Sequence, residues 1–126
     1  MSSVLDASAI IAVLRGEPGA EIVLAADEGV ISAVNFAEVI TALINAGMPS
    51  DHAQRAAARS TGLKIVPADQ SQAIIAGRLR EQTRSAGLSL GDRFCIALAS
   101  QLGAKALTAD RQWCDLDVGV EVVLIR

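Results

Sequence analysis

Asp6, Glu38, Asp92 and Asp110 are the residues of this chain best placed to do chemistry, and each sits beside an apolar segment. A fold will hold such acids near its interior. There an unpaired carboxylate is very costly, so it is protonated, paired or bound to a cation. Four converging carboxylates would repel one another strongly unless a divalent ion lay between them. That arrangement suits Mg2+ or Mn2+, hard cations that prefer oxygen ligands. One or two ions held this way serve phosphodiester hydrolysis: they activate a water, polarise the phosphoryl group and stabilise the departing oxygen. No histidine base is then needed.

Each acid also has a purely local reading. Asp6 and Asp92 fit helix N-caps. Asn35-Phe36-Ala37-Glu38 fits a capping box in which Glu38 reaches back to the Asn35 N–H. Asp110 fits an ordinary turn. The joint pattern favours function, because two of the acids follow strands and one opens an apolar helix.

The elements that must position them can be read from the apolar periodicity. Val4-Leu5 ends a short strand that runs into Asp6, and residues 8–14 read as a helix stopped by Arg15-Gly16-Glu17-Pro18. A second short helix covers 20–26, and 29–32 is strand-like. Residues 35–46 form an amphipathic helix with Phe36, Val39, Ile40, Leu43 and Gly47 on one face. Ser50-Asp51 cap an alanine-rich helix to about Ser60, and Leu63 to Val66 is a strand closed by Pro67. A long helix covers 69–86 and a loop follows at 87–91. Asp92 to Leu102 is a helix apolar on nearly every side, which marks it as buried. Strands at 104–108 and 120–125 complete the chain. Alternating strands and helices predict an α/β fold with a mostly parallel sheet. Asp6 and Asp110 then fall at the carboxyl ends of strands, where open sheets of this kind build their sites.

Bulk properties bound the reading. The chain has 126 residues, so one domain spanning 1–126 is expected. It is 52% hydrophobic with a mean hydropathy of +0.41, and its aromatics are only Phe36, Phe94 and Trp113, so the core must be aliphatic. No uninterrupted apolar run reaches the roughly 18 residues of a membrane span, and the amino terminus lacks the basic region of a signal peptide. Cys95 and Cys114 have no paired-motif spacing and read as reduced thiols of a cytoplasmic protein. His52 is the only histidine. A zinc site, a Ser-His-Asp triad or a histidine base would need it, yet beside Asp51 at a helix start it reads as a solvated surface residue. The net charge of −3 argues against gripping nucleic acid by bulk electrostatics. Local arginines, or cations bound at the acids, would still permit it. Lys64 and Lys105 are the only lysines; arginine suits bidentate phosphate contacts, though genomic base composition explains the bias as well.

Four segments, taken in order, resemble the PIN-domain ribonucleases, and specifically the VapC-type toxins of bacterial VapBC toxin–antitoxin systems. They are Val4-Leu5-Asp6-Ala7-Ser8-Ala9, Asn35-Phe36-Ala37-Glu38-Val39, Leu88-Ser89-Leu90-Gly91-Asp92-Arg93-Phe94-Cys95, and Leu107-Thr108-Ala109-Asp110 with Trp113. Each is weak alone; together, in a chain of this length, they are specific. The resemblance implies a PIN-like α/β/α sandwich and a metal-dependent endoribonuclease. It implies that Asp6, Glu38, Asp92 and Asp110 form an acidic quartet holding Mg2+ or Mn2+. Ser8 and Thr108 match the hydroxyl positions beside that quartet, as hydrogen-bond partners of the acids or of a metal-bound water. Asp115 matches an extra acid that some members carry. Arg93 is open between a phosphate contact, a partner contact and a structural pairing. The resemblance also implies an RNA substrate, a cognate VapB-type antitoxin whose tail crosses the acidic groove, and a homodimer. The 36–47 stripe and the helix after Asp51 are the apolar candidates for those interfaces, although Val39 and Leu43 read better as core.

Two other functions compete. One is a non-catalytic binding module in which the acids are caps and the apolar stripes form a partner surface. The other is a phosphatase with Asp6 as nucleophile; that chemistry usually wants a second acid two residues on, where Ser8 stands.

Overall fold

A computed structural model describes every residue except Met1, Asp27 and Thr61. Among the described residues five strands form one sheet: β1 (Ser2–Leu5), β2 (Glu28–Ser32), β3 (Lys64–Val66), β4 (Lys105–Thr108) and β5 (Val122–Leu124). All pairings are parallel and the order is β3-β2-β1-β4-β5. Six α-helices among the described residues cover it: α1 (Ala7–Arg15), α2 (Ala20–Leu24), α3 (Ala33–Asn45), α4 (Ser50–Arg59), α5 (Gln70–Thr83) and α6 (Leu90–Leu102). Short 3-10 turns follow at Arg84–Ala86 and Arg111–Trp113.

The two-residue period of the strands splits the core. Val4, Val30 and Ala106 face one side and pack with Ala76 and Leu79 of α5 and Cys95 to Ala99 of α6. Leu5, Ile31 and Leu107 face the other and pack with Ala9, Ile10 and Ala12 of α1, Val23 of α2, Val39 and Leu43 of α3, and Ala53 and Ala57 of α4. The result is the expected α/β/α sandwich, with every strand parallel. No helix among the described residues is long and apolar enough to cross a membrane.

Element ends differ from the sequence reading where a cap decides them. α3 starts two residues early because Ser32, rather than Asn35, is its cap: the Ser32 hydroxyl accepts the Val34 N–H at 3.3 Å. α6 starts at Leu90, capped by Ser89, so Asp92 lies inside the first turn instead of opening it. α4 begins at Ser50 after Pro49 and has no side-chain cap, so neither Ser50 nor Asp51 fills that role. The long helix stops at Thr83 and tightens into the Arg84–Ala86 turn. Cys95 is buried and Cys114 exposed, and both thiols are free, as their spacing suggested.

β1 is the pivot. From it the chain moves one way to β2 and β3 and the other way to β4 and β5. Such a switch opens a crevice at the carboxyl ends of the two central strands. β1 ends at Leu5 and β4 at Thr108, which delivers Asp6 and Asp110 to that edge. α3 leaves the same edge from β2. α6 runs back against β4, so its amino end arrives there too.

Candidate functional site

Asp6 follows β1 at the switch point of the sheet. It keeps extended backbone (φ −83°, ψ 175°), and its Oδ1 accepts the Ala9 N–H at 2.9 Å, so the N-cap reading is correct as far as it goes. It is also only 4% exposed, more than a cap requires. Both carboxylate oxygens accept hydroxyls: Ser8 Oγ donates to Oδ1 at 2.7 Å, and Thr108 Oγ1 donates to Oδ2 at 2.6 Å. The same hydroxyls accept from the exit of β4. Ala109 N donates to Ser8 Oγ at 2.9 Å, and Asp110 N donates to Thr108 Oγ1 at 3.0 Å. Asp6 is thereby tied to the backbone that carries Asp110. Burial pushes its carboxyl from the ordinary 3.8 to about 6, against the pull of the three hydrogen bonds, and the charge of Asp92 adds to the rise.

Asp110 is half-buried. Its Oδ1 accepts the Gln112 N–H at 2.9 Å and caps the Arg111–Trp113 turn. The indole of Trp113, fully buried in the α5–α6 side of the core, pins that turn to the sheet. Asp115 lies exposed beyond it.

Asp92 is the acid of a complete capping box. Its N–H donates to Ser89 Oγ at 3.2 Å, and its Oδ2 accepts the Ser89 N–H at 2.9 Å. Partial burial raises its pKa, and Asp110 raises it further; the Ser89 bonds and Arg93 oppose this. Arg93 makes a structural contact. One guanidinium nitrogen donates to the Ala76 carbonyl of α5 at 3.1 Å, and its Nε is buried without a partner. It straps α6 to α5.

Glu38 is not part of a capping box. It meets the side chain of Asn35, not its backbone N–H: Asn35 Nδ2 donates to Glu38 Oε1 at 2.8 Å. The carboxylate lies against α6 at Gly91, where a Cβ would overlap both of its oxygens. Behind the acids, the Cys95 thiol is fully buried. Burial first, then the charges of Asp6, Asp92 and Glu38, holds it protonated well above its usual range. Cys95 thus feels three of the four acids at once, and Asp92 couples to both Asp6 and Asp110.

Sequence reasoning named Asn35 only as a cap and Gly91 only within a motif, and missed what each does to Glu38. Each left a trace. Gly91 is a glycine in the first turn of an apolar helix, where it is a poor helix former. Asn35 is a polar residue that ends up 1% exposed, and it lies among the apolar positions of α3.

The donor chemistry fits a hard cation. The groups are carboxylate and hydroxyl oxygens. The described ion pairs, Arg55–Asp51 and Arg126–Glu17, involve none of the four acids. Two of the acids hold raised pKa values through burial and mutual repulsion, and a cation reverses both effects. Among the described residues no three Asp, Glu, His or Cys side chains are grouped tightly enough to close a ligand shell. Oxygen donors of this kind suit a hard cation such as Mg2+, which keeps several waters in its shell.

Comparison with known proteins agrees with this architecture. No curated protein sequence matches the chain. The fold is similar to a toxin–antitoxin complex from Klebsiella pneumoniae (18% identity, TM-score 0.76, 98% of each chain covered). It is also similar to the DNA-bound VapBC of Salmonella typhimurium (17% identity, TM-score 0.76, 100% of this chain and 99% of that one). A third likeness is to VapC20 of Mycobacterium tuberculosis, a sarcin-ricin-loop-cleaving toxin (20% identity, TM-score 0.72, 92% and 97% covered). The family model of the PIN domain matches residues 3–119, from the first strand past the Trp113 turn, and with that match the chain belongs to the PIN domain family.

Proposed function

We propose that this chain is a VapC-type toxin: a metal-dependent endoribonuclease, one domain over residues 1–126, that hydrolyses RNA phosphodiester bonds in the cytoplasm. Asp6, Glu38, Asp92 and Asp110 hold Mg2+ or Mn2+. The observation that carries this reading is Asp6, a 4% exposed carboxylate at the sheet's switch point with two hydroxyl donors and a second acid coupled to it. Capping alone explains its bond to Ala9. It does not explain burying the charge.

When bound, the ion supplies an activated water and neutralises charge on the phosphate. The chain's own groups do the rest. Ser8 and Thr108 fix both Asp6 oxygens and keep them as acceptors. The capping box holds Asp92 on the rigid first turn of α6. Thr108 and the Trp113 turn hold Asp110 beside Asp6. Asp115 is exposed and has no assigned part.

Two of the similar structures, from Klebsiella pneumoniae and Salmonella typhimurium, are toxin–antitoxin assemblies, which supports a cognate VapB-type antitoxin as this chain's partner. The exposed Leu90 stands two residues from Asp92, and Ile44 is exposed on α3. These give an antitoxin tail or a second copy of the chain apolar ground beside the acids and along α3. The experiment is cleavage of a structured RNA with Mg2+ or Mn2+. Cleavage must stop with chelator and in Asp6→Asn and Asp92→Asn. Cleavage that survives both treatments sinks the metal-dependent nuclease, and no cleavage by wild type leaves the binding-module reading.

A further inference from the structure

We infer that Asn35 is a positioning residue for Glu38, holding its carboxylate against the first turn of α6 beside Asp92. The inference rests on the metal-site reading above. Asn35 is 1% exposed and belongs to α3, yet its side chain serves two elements. Nδ2 donates to Glu38 Oε1 at 2.8 Å and to the Gly91 carbonyl at 2.9 Å. Both partners are acceptors, so only the amide nitrogen can occupy that place; the flipped amide would set oxygen against two oxygens.

The cost of this choice is visible on the other atom: Asn35 Oδ1 is buried with no hydrogen-bond partner. An apolar side chain would fill the same space without stranding an acceptor. What the amide gains is a fixed distance between helices. α3 carries Glu38 and α6 carries Asp92, and the two belong to different sides of the core, so packing against the sheet does not by itself set their separation. The clamp sets it at Gly91, one residue before Asp92, where the missing side chain leaves room for the carboxylate. A second polar bond steadies the start of α3: the Ser32 cap donates to Oε1 of the fully buried Gln72 of α5 at 2.7 Å. Asn35 thus does not touch substrate; it decides where Glu38 stands.

The test is Mn2+ affinity, measured by electron paramagnetic resonance on metal-free protein, for wild type, Asn35→Ala, Glu38→Gln and the double variant. Wild type is expected to bind, and Glu38→Gln to weaken binding. Asn35→Ala should weaken it by about 10- to 100-fold, the usual effect of losing the partner of a ligand. In the Glu38→Gln background, Asn35→Ala should add nothing further. An equal loss in both backgrounds means that Asn35 acts through the fold alone and overturns the inference, as does an unchanged affinity in Asn35→Ala. No binding by wild type, or no effect of Glu38→Gln, instead sinks the metal-site reading itself. Should Asn35→Ala fail to fold, the side-chain amide of Asn35 is followed by NMR in the wild-type protein. Slow hydrogen exchange and a signal that moves in Glu38→Gln support the clamp; rapid exchange overturns it.

Discussion

Asp6→Asn should make the metal-free protein more stable while abolishing cleavage. Asp6 is 4% exposed and its carboxyl is shifted from 3.8 to about 6. A shift of that size means the buried charge destabilises the folded state by about 3 kcal/mol at neutral pH. The amide keeps the shape and removes the charge. It offers one acceptor oxygen where the carboxylate offers two, so either Ser8 or Thr108 loses its acceptor, at about 1 kcal/mol. The net gain is roughly 2 kcal/mol, or about 5 to 10 °C in Tm for a chain of this length. The sign follows from linkage. Asp6 has a raised native pKa, so wild type is most favoured below about pH 4, where it is protonated in both states. It loses stability as pH rises from there through about 6. The advantage of the variant should therefore be absent near pH 4, grow through pH 5 and level off above 6. The assay is thermal unfolding of both proteins by circular dichroism in chelator, from pH 4 to 8. A Tm difference that does not change with pH, or a less stable variant at pH 7.5, would refute the argument that Asp6 is a buried, uncompensated charge. Adding Mg2+ should close the gap, because only wild type gains binding energy from it.

Gly91→Ala should leave stability within about 1 kcal/mol, since alanine is the better helix residue and the atoms it meets are the movable end of Glu38, yet displace that carboxylate and lower kcat; equal losses of Tm and activity would count against it. Thr108→Val removes the donor to Asp6 and the acceptor of Asp110 N, so it should lower stability by about 1 to 3 kcal/mol and raise the pH at which cleavage reaches half its maximum. In wild type, Mn2+ affinity should fall as pH drops below about 6, because Asp6 must shed its proton to bind; calorimetric titration at pH 5 and 7.5 checks this. Arg93→Met keeps most of the apolar stem and drops the bond to Ala76, so it should destabilise the α5–α6 contact by about 1 kcal/mol with little change in kcat; a selective loss of RNA affinity would restore the phosphate reading.

Much of the molecule was written in the chain order of its residues. Strand-helix alternation gave the parallel sheet, and apolar periodicity gave Val39 and Leu43 as core. The four motif segments gave the family. These signals are local: a period, a cap or a turn is set by residues within a few positions of one another. The exact helix starts failed where two nearby polar residues competed for one cap, Ser32 against Asn35 and Ser89 against Asp92.

What the sequence alone determined is that these acids exist beside apolar segments and that two of them follow strands. Only the tertiary structure decided that β1 and β4 are neighbours, so that Thr108 reaches Asp6 across 102 positions of chain. It also decided that Asn35 spans 56 positions to bind Gly91, and that Asp6 sits dry enough to shift its pKa. Such facts depend on which distant surfaces pack together. Side-chain hydrogen bonds and desolvation act over a few ångströms of space, and no local spacing along the chain encodes that distance.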